Sequence, residues 1–363
     1  MHIAIDARII NTSTGRYVER LVSYLQEIDT TNRYTILVPT KDLTFFVPTN
    51  PNFTVMAADF KNYSLAEQTQ FKTFLDSLAP DLVHFCMPQQ PILYTGKHVT
   101  TFHDLTLLKT YNSDKNWLTF HVKQLIGRFI FKRVLVTSKH IIVPTQFVKK
   151  ELLGFSTIPE SKITVTLESA DVFADKLQPY SHPFKQFIMY VGQQSDYKNI
   201  KRLGDAHQKL LKTRPDLGLI LVGRKNVSAF KNEAYFKKKG YKNIIFTDFI
   251  SDEQRDWLFK NCDAYLFPSL MEGFGLPGLE AMGYGAPVVS SNATSLPEVY
   301  GDAAHYFDPY NTEDIARAID DVLTDSTLRG ELIAKGYAQL KKYSWKRMAQ
   351  QTHEVYMNAL KES

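Results

Sequence analysis

Two glutamates carry the clearest chemistry in this 363-residue chain. Glu272 and Glu280 lie in Phe267-Pro-Ser-Leu-Met-Glu272-Gly273-Phe274-Gly275-Leu276-Pro277-Gly278-Leu-Glu280. An apolar strand pattern ends at Phe267, a loop follows, and Pro277 is suited to open a helix. The amino end of a helix has unsatisfied amides and a positive dipole, so the backbone of Phe274, Gly275 and Leu276 offers an anion site. A carboxylate beside such a site would repel a phosphate but accepts hydrogen bonds from uncharged hydroxyls. The chemistry is that of a ligand anionic at one end and rich in sugar hydroxyls at the other. The plain alternative is a helix cap with a surface glutamate. Two acids, three glycines and two prolines gathered at one strand end argue against it.

The same stretch contains Gly273-x-Gly275-x-x-Gly278, with Glu298 twenty residues further on, as a dinucleotide fingerprint would have. Five residues separate the strand end from Gly273, where that fingerprint needs a turn directly off the strand. Pro277 also removes an amide from the phosphate-binding run. The dehydrogenase reading fails on geometry.

Other candidates follow other strands. Lys198 and Asn199 close the loop that starts at Gly192, and a lysine there can neutralise a departing diphosphate, although a loop lysine is also ordinary surface. His103 follows the strand pattern Val99–Phe102, where a lone histidine is as readily structural. Gly15 sits in the first loop. No Asp-x-Asp pair occurs to clamp a divalent cation on a diphosphate. No metal and no cofactor are therefore expected.

These loops need strands to hold them. Apolar, β-rich runs alternate with amphipathic helical stretches, the pattern of parallel sheets covered by helices. The first series is His2–Ile5, Tyr34–Val38, Leu82–Phe85, Val99–Phe102 and Ile141–Val143. A linker-like segment, Asp175–Gln186, precedes the second series: Phe187–Val191, Leu217–Val222, Ile244–Phe246, Ala264–Phe267 and Pro287–Ser290. Two doubly wound α/β domains are expected, 1–178 and 179–344, with the helical stretch 345–363 as a candidate to return to the first. Ligands in such folds gather at the carboxyl ends of the strands, where the unusual residues lie.

Composition narrows the partners. The 43 basic and 38 acidic side chains give a net charge of +5 with no basic tail, which argues against nucleic acid. Cys86 and Cys262 are expected as buried apolar residues. Asp6 and Arg8 interrupt any leader-like core, no apolar run is long enough to span a bilayer, and a cytoplasmic location is expected. The stretch Asn116–Val134 is basic and aromatic, with apolar residues at Leu118, Val122, Leu125, Ile126, Phe129 and Ile130. It reads either as a core helix with solvated lysines or as a peripheral contact with the inner face of a membrane.

The Glu272–Glu280 block resembles the E-x7-E signature of the retaining glycosyltransferase family four, of GT-B fold, and in particular bacterial polysaccharide mannosyltransferases. The resemblance extends through Ala286-Pro287-Val-Val, Ser295-Leu-Pro-Glu298, Ile3-Ala-Ile-Asp-Ala-Arg8 and Thr101-Phe-His103-Asp104. It implies two Rossmann-like domains around a cleft and hexose transfer from a GDP- or UDP-linked donor to a glycan or lipid-linked acceptor. The route implied is front-face and metal-independent. Glu272 and Gly273 would hold the donor sugar, the Phe274–Leu276 backbone the sugar and phosphate, and Glu280 the ribose. His103 would lie beside the donor sugar, and Gly15, Gly192, Lys198 and Asn199 near the diphosphate. The family pairs its lysine with an arginine; here the matching positions hold Gln193 and Tyr197, and Arg224 is the candidate substitute. A non-catalytic nucleotide-sugar binder and a nucleotide-sugar epimerase are the alternatives.

Overall fold

The computed structural model describes residues 1–12, 14–109, 117–173 and 176–362. Among them, two all-parallel sheets form. The first contains β1 (His2–Asp6), β2 (Arg33–Val38), β3 (Phe53–Ala57), β4 (Leu82–Phe85), β5 (His98–Thr101), β6 (His140–Val143) and β7 (Ile163–Val165), in the order β3-β2-β1-β4-β5-β6-β7. The second contains β8 (Gln186–Val191), β9 (Leu217–Val222), β10 (Ile244–Phe246), β11 (Ala264–Phe267), β12 (Val288–Ser291) and β13 (Ala304–Phe307), in the order β10-β9-β8-β11-β12-β13.

Parallel sheets are covered on both faces, so their central strands are continuous apolar runs. The strand β9 is buried at every residue, and its register pairs Ile188 with Leu219 and Tyr190 with Leu221. Each order reverses once, at β1/β4 and at β8/β11, and the loops on either side of such a reversal part to leave a crevice. These are the places where the sheets can hold a ligand.

Three strands have no counterpart in the sequence reading: β3, β7 and β13. Each is a sheet edge with one partner. β3 is mostly outside the core and β7 has three residues, so neither shows the unbroken apolar run of a central strand.

The chain folds as two compact units. The first holds Met1–Leu108, His121–Glu168 and the helix Trp345–Lys361; the second sheet and its helices lie in Ser169–Tyr343. The chain leaves the first unit after Glu168, so the expected boundary at 178 falls inside the second. The last helix is bound to the rest of the first unit by named contacts. His353 Nε2 meets Asp29 Oδ2 at 2.9 Å, the Tyr356 hydroxyl meets His84 Nδ1 at 2.5 Å, and Lys97 Nζ donates to the Leu360 carbonyl at 3.1 Å.

The basic, aromatic stretch forms the helix Trp117–Thr137, with Lys115 and Asn116 outside the described residues. Of the apolar positions that helical spacing selects, Ile130 packs against the core, and the structure does not describe the Leu118 and Val122 side chains. Phe131, Val134 and Leu135 enter the core, whereas Leu125, Ile126 and Phe129 are 69%, 52% and 63% exposed. Among the described residues, no helix is long and apolar enough to cross a membrane.

Candidate active site

In the second unit the loops after β8 and β11 meet at the order reversal. The backbone amide of Leu270 donates to the Tyr197 carbonyl at 2.8 Å, tying one loop to the other. Asn199, in a left-handed conformation that starts the helix Ile200–Leu210, extends the tie. Its side-chain amide donates to the Pro268 carbonyl at 3.1 Å and the Pro309 carbonyl at 2.7 Å, and Arg202 donates to its oxygen. Asn199 therefore joins three loops, and its side-chain hydrogens are already used.

Lys198 Nζ and Glu272 Oε1 form an ion pair of 2.5 Å across these loops, with side chains 14% and 12% exposed. The rings of Tyr197 and Phe267 lie 5.1 and 5.5 Å from the ammonium. Burial alone would lower the Lys198 pKa, but the Glu272 charge, with Tyr190 and Tyr197 beside it, holds it above the ordinary lysine value. The lysine is thus a fixed cation resting on a carboxylate.

Next to the pair, Gly275 caps the helix Leu276–Gly283, with Pro277 in its second position, not its first. Gly275 has φ +105°, a region other residues rarely adopt, and a Cβ there would meet the Tyr300 hydroxyl at 2.6 Å. That hydroxyl donates to the Gly275 carbonyl at 2.6 Å, and Ser295 Oγ donates to the carbonyls of Glu272 and Phe274 at 3.0 and 3.4 Å. The loop's carbonyls are thereby turned into the protein. No side chain caps the helix, so its first amides keep their capacity to bind an anion.

Other expected donor-side residues divide. Gly192 donates its amide to the Val222 carbonyl at 2.9 Å, extending the ladder past β8, and Gly273 is buried in the β11 loop. Arg224 is exposed after β9, its guanidinium 5.0 Å over the Phe249 ring. It has no carboxylate partner among the described residues. Glu280 is 6% exposed on the helix flank. Its charge, with those of Asp256 and Asp252, overcomes the effect of burial and raises the Arg255 pKa.

In the first unit His103 follows β5, and its ring is clamped. Nε2 lies 3.1 Å from the Cys86 carbonyl and Nδ1 3.3 Å from Glu168 Oε1, while Tyr17 packs edge-on at 4.8 Å between centroids. Glu168 was missed by sequence reasoning because it follows the unrecognised β7. Gly15 opens the helix Gly15–Ile28, and a Cβ there would lie 2.0 Å from the Ile10 carbonyl. The glycine is demanded by its own loop.

Comparison with known proteins agrees with this geometry. The family described as Glycosyltransferase Family 4 matches residues 14–167, and Glycosyl transferases group 1 matches 176–339. An O-antigen chain mannosyltransferase B of Escherichia coli is 31% identical over 275 residues, 71% of this chain and 69% of that protein. The serotype-specific mannosyltransferase WbdA of Escherichia coli is 28% identical over 99% of this chain but 46% of its own length, so the chain spans about half of that relative. Among solved structures, sucrose-phosphate synthase from Thermosynechococcus elongatus aligns over 100% of both chains at a TM-score of 0.79 and 16% identity. WaaG, a glycosyltransferase involved in lipopolysaccharide biosynthesis, aligns over 98% of this chain and 99% of its own at 0.73 and 15%. The fold is GT-B.

The chain belongs to the family-four glycosyltransferases. It is an enzyme that transfers a sugar, and the epimerase alternative is set aside.

Proposed function

We propose that this enzyme transfers a hexose, mannose in the first instance, from a GDP- or UDP-linked donor to a glycan or lipid-linked acceptor, with retention and without a metal. The observation that carries the reading is the Lys198–Glu272 pair beside the uncapped helix start at Gly275. On donor binding, Glu272 exchanges its lysine for sugar hydroxyls, and Lys198 exchanges its carboxylate for the diphosphate. The helix amides and Lys198 meet the charge that grows on the leaving oxygen, and Arg224 supplies the second cation. Glu280 takes the ribose. His103 would act on the donor sugar, orienting it or, through its main-chain carbonyl, stabilising the positive charge near the anomeric carbon. The acceptor attacks from the face the diphosphate leaves. The two mannosyltransferase relatives support mannose as the sugar and a polysaccharide as the acceptor.

The decisive experiment is Glu272→Gln, which keeps the side chain's size and removes its charge. Transfer from GDP-mannose, or from whichever nucleotide sugar raises the Tm most, should fall at least roughly a hundredfold with the fold intact. Wild-type activity in this variant would refute the donor site.

The exposed Leu125, Ile126 and Phe129, flanked by exposed Arg128, Lys132 and Arg133, support a peripheral contact with an anionic membrane. Replacing the three apolar residues by serine should abolish sedimentation with phosphatidylglycerol vesicles. Unchanged sedimentation would end that part of the proposal.

A further inference from the structure

We infer that Glu168 is a positioning residue for glycosyl transfer, holding the His103 ring, and with it the main chain at the end of β5, in working orientation. The inference rests on the reading of His103 as a residue of the sugar side. The Glu168 side chain is 6% exposed, and its Oε1 lies 3.3 Å from Nδ1 of His103. A carbonyl can only accept a hydrogen bond, so the contact with Cys86 requires a proton on Nε2 of His103. A neutral ring would then present a lone pair at Nδ1, directly against the Glu168 carboxylate. Both ring nitrogens face acceptors, which is the arrangement of a doubly protonated imidazole.

Two other buried histidines show the contrasting arrangement. His207 faces the Leu217 carbonyl through Nε2 and the donating amide of Gln208 through Nδ1. His84 lies between the hydroxyls of Thr101 and Tyr356, either of which can donate. Both fit neutral rings.

Among the described residues, Glu168 is the carboxylate seen against the His103 ring. From the helix Gly15–Ile28 comes Tyr17, and the loop after β4 brings Cys86; burial pushes the pKa of each upward, so both stay neutral. From β4 comes His84, which burial and the nearby His103 push down to about 3. Asp104, the chain neighbour, turns its carboxylate to the amide of Thr106 at 2.9 Å. Asp6, near Cys86, is held by Arg8 at 2.7 Å. Edge-on packing of Tyr17 then stops the ring from turning away. With a proton on Nδ1 the clamp closes on three sides; without it, ring and carboxylate repel.

The test uses the full chain with saturating donor and acceptor. Glu168→Gln should lower kcat roughly tenfold and leave the donor KM within about twofold, because the residue positions and does not bind. The glutamine amide still presents an oxygen and an amino group to Nδ1, so that variant should keep clearly more activity than Glu168→Leu, which presents neither. A packing role alone would let the similarly sized leucine do as well as glutamine, and equal kcat for the two variants overturns the inference. His103→Ala separates the two levels: if it keeps the wild-type rate, the reading of His103 fails. If His103→Ala is inactive while Glu168→Gln and Glu168→Leu both match the wild-type rate, the Glu168 inference alone fails.

Discussion

The two sheets present their functional residues in opposite ways. In the second unit a cation and an anion from two loops rest on each other at 2.5 Å, both within reach of solvent. In the first, His103 is gripped by groups from a helix and from the loops after β4 and β7. The first arrangement can open, since a ligand carrying an anion and hydroxyls offers both partners a replacement. The second offers no such exchange. On the proposed reading, the side that admits a diphosphate keeps its cation neutralised until the ligand arrives, and the side that orients a carbonyl is locked beforehand.

Lys198→Ala breaks this comparison most severely. It removes the exchangeable cation and leaves Glu272 unpaired, so kcat should fall roughly a hundredfold to a thousandfold. The loss should exceed that of Glu168→Gln by about tenfold or more. Steady-state kinetics of both variants against one donor checks the order, and a reversed order would mean that the locked side, not the exchangeable pair, limits the reaction.

The two regions also differed in how far the sequence revealed them. Lys198, Glu272 and Glu280 follow central strands whose apolar runs are unmistakable, and their loops carry glycines, prolines and acids in a short span. Glu168 follows β7, a three-residue edge strand of mixed polarity, and nothing in its neighbours' types points to a histidine 65 residues away. Asn199 was expected near the donor, and its role as a tie between three loops was not legible, because its partners are backbone carbonyls, which every sequence has. The helix Trp117–Thr137 left two readings open for a related reason: spacing gives the angular relation of residues, not which side meets the core. Leu125, Ile126 and Phe129 form an apolar group either way, and the packing of Phe131, Val134 and Leu135 turns that group outward.

Acid stability sharpens the comparison, because each unit holds a histidine with no exposed surface, His84 in the first and His207 in the second. Burial lowers the His84 pKa to about 3, helped by His103, and lowers that of His207 to about 4 against the effect of the Leu217 carbonyl. In the unfolded chain both rings take up a proton near the ordinary value of about 6.5. Below that pH the unfolded state binds more protons than the folded one, so stability falls as pH falls. The loss is about 1.4 kcal/mol per pH unit for each ring, continuing to about pH 4 for His207 and about pH 3 for His84. Urea unfolding between pH 7 and 5 should show the slope, while histidine NMR of the folded protein shows neither ring titrating. A ring that titrates near pH 6.5 in the folded state would remove that unit's contribution.

Two glycines of the second unit give the smallest effects and opposite signs. Gly275→Ala must adopt φ +105° and meet both Tyr300 and Leu296, at 2.6 and 2.8 Å. The backbone conformation alone costs about 1–2 kcal/mol, and relief requires the loop to move the amides that would meet the diphosphate. Donor affinity should therefore fall along with Tm. Gly330 lies exposed within the helix Ser326–Leu340, with nothing within 4 Å of a Cβ. There alanine lowers the entropy of the unfolded chain and favours the helix, so Gly330→Ala should stabilise by about 0.5–1 kcal/mol and leave kinetics untouched. Thermal melts with and without donor separate the cases. The Gly330 variant should show an unchanged donor-induced rise in Tm, whereas the Gly275 variant should lose most of it. If Gly275→Ala keeps the full rise, the amides at that helix start do not touch the donor, and binding depends on the Lys198–Glu272 exchange alone.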